Sequence, residues 1–260
     1  MAKAKTTASK KGNTLPVQWD EELAKYATAE AARTTASGGG EFLGTQGGKF
    51  QFQGEIIGDE IDLIVVDFVH QNIWNPWPYD QKSKIVHPPG CFAYSEDGKD
   101  MEPHESAPDK QSESCETCPF NEFGSGKVGN SKECNGRRLL AVIHADSEDL
   151  SEAKIVGLSL SPNALKPWDG YVSNLAGVRR RPQFSVVTHF EMQAKGTYHI
   201  VVPKFGSDLD RAQVEQIIAR REEARAFLLT PPNVTGYEPY AGRPAKGKTA
   251  AKGKSAFSKR

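Results

Sequence analysis

A chain of 260 residues with 33 basic and 33 acidic side chains has the length for one packed core with extensions, or for two small ones. A hydrophobic fraction of 37% and a mean hydropathy of -0.56 imply that part of it stays unpacked. The longest apolar run, residues 61–69, is short and holds Asp62 and Asp67, which excludes a membrane helix.

Residues 1–14 form a basic tail of Ala, Lys, Ser and Thr without the apolar segment of an export signal, so a reducing, cytoplasmic setting is expected. Eleven of the 33 basic residues sit in 1–11 and 241–260, which hold no acid; 22 against 33 acids remain, a body near -11. Residues 15–46 read as a helix and a glycine-rich linker: Trp19, Leu23, Tyr26 and Ala27 recur at helical spacing over 17–35, and Gly38-Gly39-Gly40 ends the run. Residues 47–205 read as a core. Phe50 and Phe52 alternate with Gln51 and Gln53, Gly58-Asp59 marks a turn, and a long strand is predicted over 61–74. Beyond it Pro76 and Pro78 forbid a central strand and leave Trp77 and Tyr79 on a loop.

An insert over 87–136 has an acidic, polar middle, and Glu96, Asp97, Asp100 and Glu102 read as a solvated loop. Strands are predicted over 137–144 and 154–160. A helix from Ser161-Pro162 toward 176 follows, which Pro167 and Gly170 should interrupt. After Arg179-Arg180-Arg181, two β runs over 184–192 and 197–202 join across Ala194-Lys195-Gly196. Residues 206–232 hold an amphipathic helix over 208–229, with Leu209, Val214, Ile217, Ile218, Phe227 and Leu228 on its apolar side, and 233–260 form a second basic tail. The order implies a mainly β fold with flanking helices: an OB-fold-like antiparallel barrel with an inserted loop. A β-sandwich with helical extensions is the alternative.

All four cysteines fall in the insert: Cys91, the pair Cys115 and Cys118, and Cys134. Thiolates two residues apart grip a soft tetrahedral cation from two sides, and two more from flanking segments close the shell, so the set reads as a structural zinc site. His104 or His87 in place of Cys91 is the open alternative. Disulfides require an oxidising compartment, and a redox pair is usually set at a helix N-terminus rather than among Gly, Ser and Asn. A closed four-thiolate shell has no open position for water and does no chemistry. The glycines of 124–129 match a dinucleotide fingerprint, but no apolar strand precedes them; they read as turns around the metal.

No nucleophile elbow or zinc-protease helix is evident, no thiol is left over once the metal is filled, and the six histidines are scattered, so no enzyme activity is expected. The pattern suits sequence-independent binding of single-stranded DNA, with RNA served by the same residues. Backbone phosphates would meet Lys127, Lys132, Arg137, Arg138, Arg179, Arg180, Arg181 and Lys195. Bases would stack on some of Trp74, Trp77, Tyr79, Phe92, Phe123 and Trp168. The rival function is a zinc-stabilised interaction protein acting through its acidic body.

The runs Pro88-Pro89-Gly90-Cys91-Phe92-Ala93, Cys115-Glu116-Thr117-Cys118-Pro119-Phe120 and Lys132-Glu133-Cys134-Asn135-Gly136-Arg137-Arg138 resemble those of tailed-bacteriophage single-stranded DNA-binding proteins. The chain is similar in plan to phage helix-destabilising proteins that put a zinc loop on an OB core, though such proteins end in an acidic tail and this one in a basic tail. The resemblance covers about residues 15–205. It implies a role in phage DNA replication or recombination in the host cytoplasm, with phage or host replication or transcription proteins as partners and no membrane.

Overall fold

The computed structural model describes residues 41–77, 87–127 and 129–239. The helix expected over 17–35, Tyr79 and nearly all of both basic tails lie outside them. Within them the fold is mainly β: one strongly curled half-barrel sheet and two α-helices. The strands are β1 (Phe42–Gln46), β2 (Lys49–Phe52), β3 (Glu55–Gly58), β4 (Glu60–Trp74), β5 (Cys91–Ser95), β6 (Asn135–His144), β7 (Val156–Leu160), β8 (Val186–Lys195) and β9 (Tyr198–Asp208). The helices are α1 (Pro162–Asn174) and α2 (Arg211–Leu229).

The sheet runs β3-β2-β1-β7-β6-β4-β8-β9, with β5 added to β4. Among the described residues only β1 and β7 pair in parallel, Phe42 opposite Gly157. Gly157 is required there because a Cβ would enter the Phe42 ring. The first strand thus begins at Phe42, inside the stretch read as linker. The hairpin arm β9 also runs to Asp208, beyond its expected end, and Cys91 stands on a strand rather than in a loop.

The 15-residue strand β4 is the axis. One edge carries β6 from Leu63 to Ile73. The other is shared, by β8 along Glu60–Ile64 and by β5 along His70–Trp74. Its alternation breaks once. Ile61, Leu63 and Val65 face the concave side and Phe68 follows them there, whereas Ile64, Val66 and Val69 face the convex side. The register against β6 slips between Val65 and Asp67, a bulge that admits one extra residue and bends the strand.

The concave side holds the larger core, where Leu63, Val65, Leu140, Leu158 and Phe190 meet Ala164, Trp168, Tyr171 and Leu175. Pro167 does not interrupt α1. It lies in the second turn and costs one backbone bond, and the buried face on either side holds the helix to the sheet. The helix ends in a π turn over Leu175–Arg179 that brings Arg180 to a φ of 55°. On the convex side Ile217, Ala224 and Leu228 of α2 cover Ile64, Val66, Leu139, Ala141 and Ile143. Ile218, expected on the apolar side of that helix, is 52% exposed, and Ala224 takes the buried position instead. Asp210 caps α2, its carboxylate accepting from Gln213 N while Gln213 Oε1 accepts from Asp210 N.

Candidate metal and nucleic-acid site

Alternation along β4 puts Phe68, His70, Asn72 and Trp74 on one face, and the segment carrying the cysteines packs on the last two. Trp74 pairs with Cys91 and Asn72 with Ala93 across β5. The returning chain is tied down by its backbone: Cys115 N donates to Met101 O (2.8 Å), Asn121 N to Cys118 O (2.9 Å) and Cys134 N to Phe120 O (2.8 Å). The Asn121 amide donates to Cys115 O (2.8 Å). The Phe120 ring stacks on Trp74, 5.4 Å between centroids and 12° between planes. Gly90 is squeezed between the Trp74 ring and the Tyr237 hydroxyl, which a Cβ would meet at 2.6 and 2.9 Å.

All four cysteines are buried and free, and all four line one small cavity together with Asn72, Trp74 and Phe120. Neither His104 nor His87 lines it. The His104 ring stacks on Phe92, 5.4 Å away, and His87 stacks on Trp77 at 4.6 Å. Burial pushes the Cys91 and Cys115 thiols up, and that of Cys134 up to about 12, with the neighbouring sulfurs adding to the effect in each case. Thiols so placed ionise together only if a cation supplies the missing charge, which is the chemistry of a soft-metal donor set. Among the described residues, no three His, Cys, Asp or Glu side chains stand close enough to ligate one ion as they lie. The sulfurs line the cavity without converging on one point.

Between the cysteines a hairpin turns outward. Ser125 fastens it: its hydroxyl donates toward Phe120 O and Glu122 O and accepts from Glu133 N. Gly124 N and Gly126 N both donate to Ser131 O, and Gly124 takes a φ of +88°, so these glycines do turn the loop. On the two arms, just outside that closure, Phe123 is 73% exposed and Lys132 Nζ lies 4.6 Å from its ring centroid. Lys132 Nζ also donates to Asn121 Oδ1 (3.1 Å), and Lys127 is exposed nearby in the chain.

The remaining stacking candidates fare differently. Trp74, Phe92 and Trp168 are 3%, 1% and 1% exposed; their rings are filled on both faces by packing and offer none to a base. Trp77 is partly exposed, its indole N–H donating to Glu238 O (2.8 Å). Among the basic residues, Arg138 pairs with Asp169 at 3.5 Å, Arg181 with Asp208 at 3.2 Å, and Arg179 lies over the Phe205 ring at 3.6 Å. Arg180 is exposed. Lys195, at the hairpin tip, stands nine residues along β8 from Val186, about 30 Å, and therefore apart from the arginine run.

The sequence reading missed an acid. Asp67, 7% exposed in its side chain, sits where β4's shared edge is vacant between β8 and β5. It accepts from Phe68 N (2.9 Å) and from Arg221 and Arg225 of α2, each at 3.3 Å, and Arg225 reaches on to Glu96 (3.5 Å). A charge in the middle of the run Val65-Val66-Asp67-Phe68 was the available signal, since an unpaired carboxylate is too costly to bury there. Among the described residues no helix is long and apolar enough to cross a membrane. Comparison with known proteins finds no matching family model, no matching curated protein and no matching solved structure.

Proposed function

We propose that this protein binds single-stranded DNA without sequence preference, through an OB-like half-barrel braced by a structural zinc loop, and acts by binding rather than by catalysis. The connectivity supports the barrel reading. Strands β4, β6, β7, then helix α1, then β8 and β9 follow one another as in an OB-fold, with β4 antiparallel to both β6 and β8. Here β1, rather than the last strand, takes the parallel place beside β7, which leaves the barrel open. Cys91, Cys115, Cys118 and Cys134 are the ligands of the zinc, and their sulfurs close inward on binding it. The ion holds the hairpin in place and has no catalytic part.

The observation that carries the nucleic-acid reading is one pair of side chains meeting across the arms of that hairpin. An exposed Phe123 beneath Lys132, on a turn fastened at both arms, offers a π face for a base beside a cation for its phosphate. RNA meets the same groups. The setting we infer is phage DNA replication or recombination in the host cytoplasm. A second reading, docking on host replication or transcription proteins, takes support from β3, a sheet edge where Ile56 and Ile57 are 64% and 45% exposed. Fluorescence anisotropy at low salt with labelled single-stranded and duplex oligonucleotides separates these. Preference for the single strand supports the proposal, and no binding, or equal binding to duplex, overturns it.

A further inference from the structure

Among the described residues, the arginines that leave solvent have acids, with one exception. Arg138 faces Asp169, Arg220 faces Glu223, and Arg221 and Arg225 share Asp67. Arg137 has no ion pair among the described residues, and its Nε is buried without a hydrogen-bond partner. Burial alone acts on its ionisation, drawing it down, and no nearby anion opposes the effect. Arg138, its neighbour, points to the concave side toward α1. Arg137 alternates with Leu139 and Ala141 and so stands on the convex side, one step past the surface that α2 covers. The register places it in a row with Gln71 and Tyr94 across three strands, Gln71 opposite both. Gln71 also hydrogen-bonds the Tyr94 side chain. A cation held part-way out of water with a donor unfilled is costly unless an anion arrives to offset it.

We propose that Arg137 is the seat for a phosphate group, a phosphodiester of the bound strand, on the convex face beside the Gln71–Tyr94 row. The proposal rests on the nucleic-acid reading for the source of the phosphate, but the seat itself is defined by a half-buried guanidinium without an acid whose Nε has no partner. It makes an unusual demand: the residue weakens the free protein and strengthens the complex. Replacing it by an apolar chain of similar length must therefore move stability and affinity in opposite directions, which no purely structural arginine would do.

The test compares intact protein with Arg137→Met, using fluorescein-labelled oligothymidine over a range of salt and thermal unfolding with and without inorganic phosphate. Arg137→Met is expected to bind the oligonucleotide about tenfold more weakly. The slope of log affinity against log salt should be shallower by about 0.7, one phosphate's worth on a single strand. The free variant should melt about 3 °C higher. Equal affinity and equal slope overturn the proposal. Should Arg137→Met not fold, Arg137→Gln serves, and wild-type affinity in that variant is equally fatal. If the intact protein binds no oligonucleotide at any salt, the nucleic-acid reading fails, and the phosphate arm decides the seat alone. A phosphate-induced rise in Tm that the variant lacks sustains it; equal rises in both proteins overturn it.

Discussion

Replacing Asp67 by Asn removes one charge from the least solvated carboxylate described in the protein while keeping its shape. The carboxylate accepts three bonds, from Phe68 N at 2.9 Å and from Arg221 and Arg225 at 3.3 Å each. The Phe68 bond is short and charge-assisted, worth about 1.5–2 kcal/mol. The two arginines are 33% and 41% exposed in their side chains and return to water when the acid is neutralised, so each contributes only about 0.5 kcal/mol. The asparagine Oδ1 still accepts from Phe68 N and gives up only the charge assistance, so the expected loss for Asp67→Asn is about 2 kcal/mol, or roughly 6 °C in Tm for a domain of this size. Urea unfolding measures it. Arg221→Met and Arg225→Met should each cost under about 1 kcal/mol, because the remaining partner holds the carboxylate, and the double variant should cost more than their sum. If Asp67→Asn unfolds within 0.5 kcal/mol of wild type, the acid is not holding α2 across the vacant edge of β4, and the account of that edge is wrong.

Purified protein should carry one zinc per chain by elemental analysis; Cys134→Ser should lose it, and a strong chelator should lower the Tm of the wild type but not of that variant. Phe123→Ala should weaken single-strand binding by about 1–3 kcal/mol without changing the Tm, since the ring is 73% exposed; a matching fall in stability would mean that the ring is packing after all. Gly90→Ala forces a methyl into the Trp74 ring and the Tyr237 hydroxyl and should cost about 1–3 kcal/mol, read by thermal melting together with lower zinc content. His70 is held below its ordinary value of 6.5 by burial first and then by Arg138. Below pH 6.5 the unfolded chain takes up a proton that the native state resists, so stability falls as pH drops through that value and levels off beneath the folded one. His70→Asn should flatten this part of a Tm-against-pH curve, and an unchanged slope would refute the assignment.

Local pattern made much of the fold legible. The long strand β4, the two α-helices, the hairpin across Lys195 and Gly196 and the four clustered cysteines each announce themselves through spacing that a few neighbouring residues impose. Alternation says that two faces of β4 differ. It does not say what covers either face, and that is where the reading of the aromatics went astray. Trp74, Phe92 and Trp168 look like stacking platforms on paper and are core in the fold, because Phe120 and His104 arrive to cover the first two and α1 carries the third onto the sheet against Phe68 and Phe190. The same limit hid the acid at the vacant edge, whose partners Arg221 and Arg225 lie 154 and 158 residues away.

The amino-acid sequence by itself determined the period of each segment, the glycine turns and the set of four sulfurs, because steric preference and donor chemistry act over a few residues. Only the tertiary structure decided which arginines found acids and which did not. It also decided that one aromatic of the loop stays exposed while another stacks inside, and that the sulfurs line one cavity without either histidine. Those outcomes depend on distant strands and helices meeting, and the desolvation that sets their energies exists only once they have met.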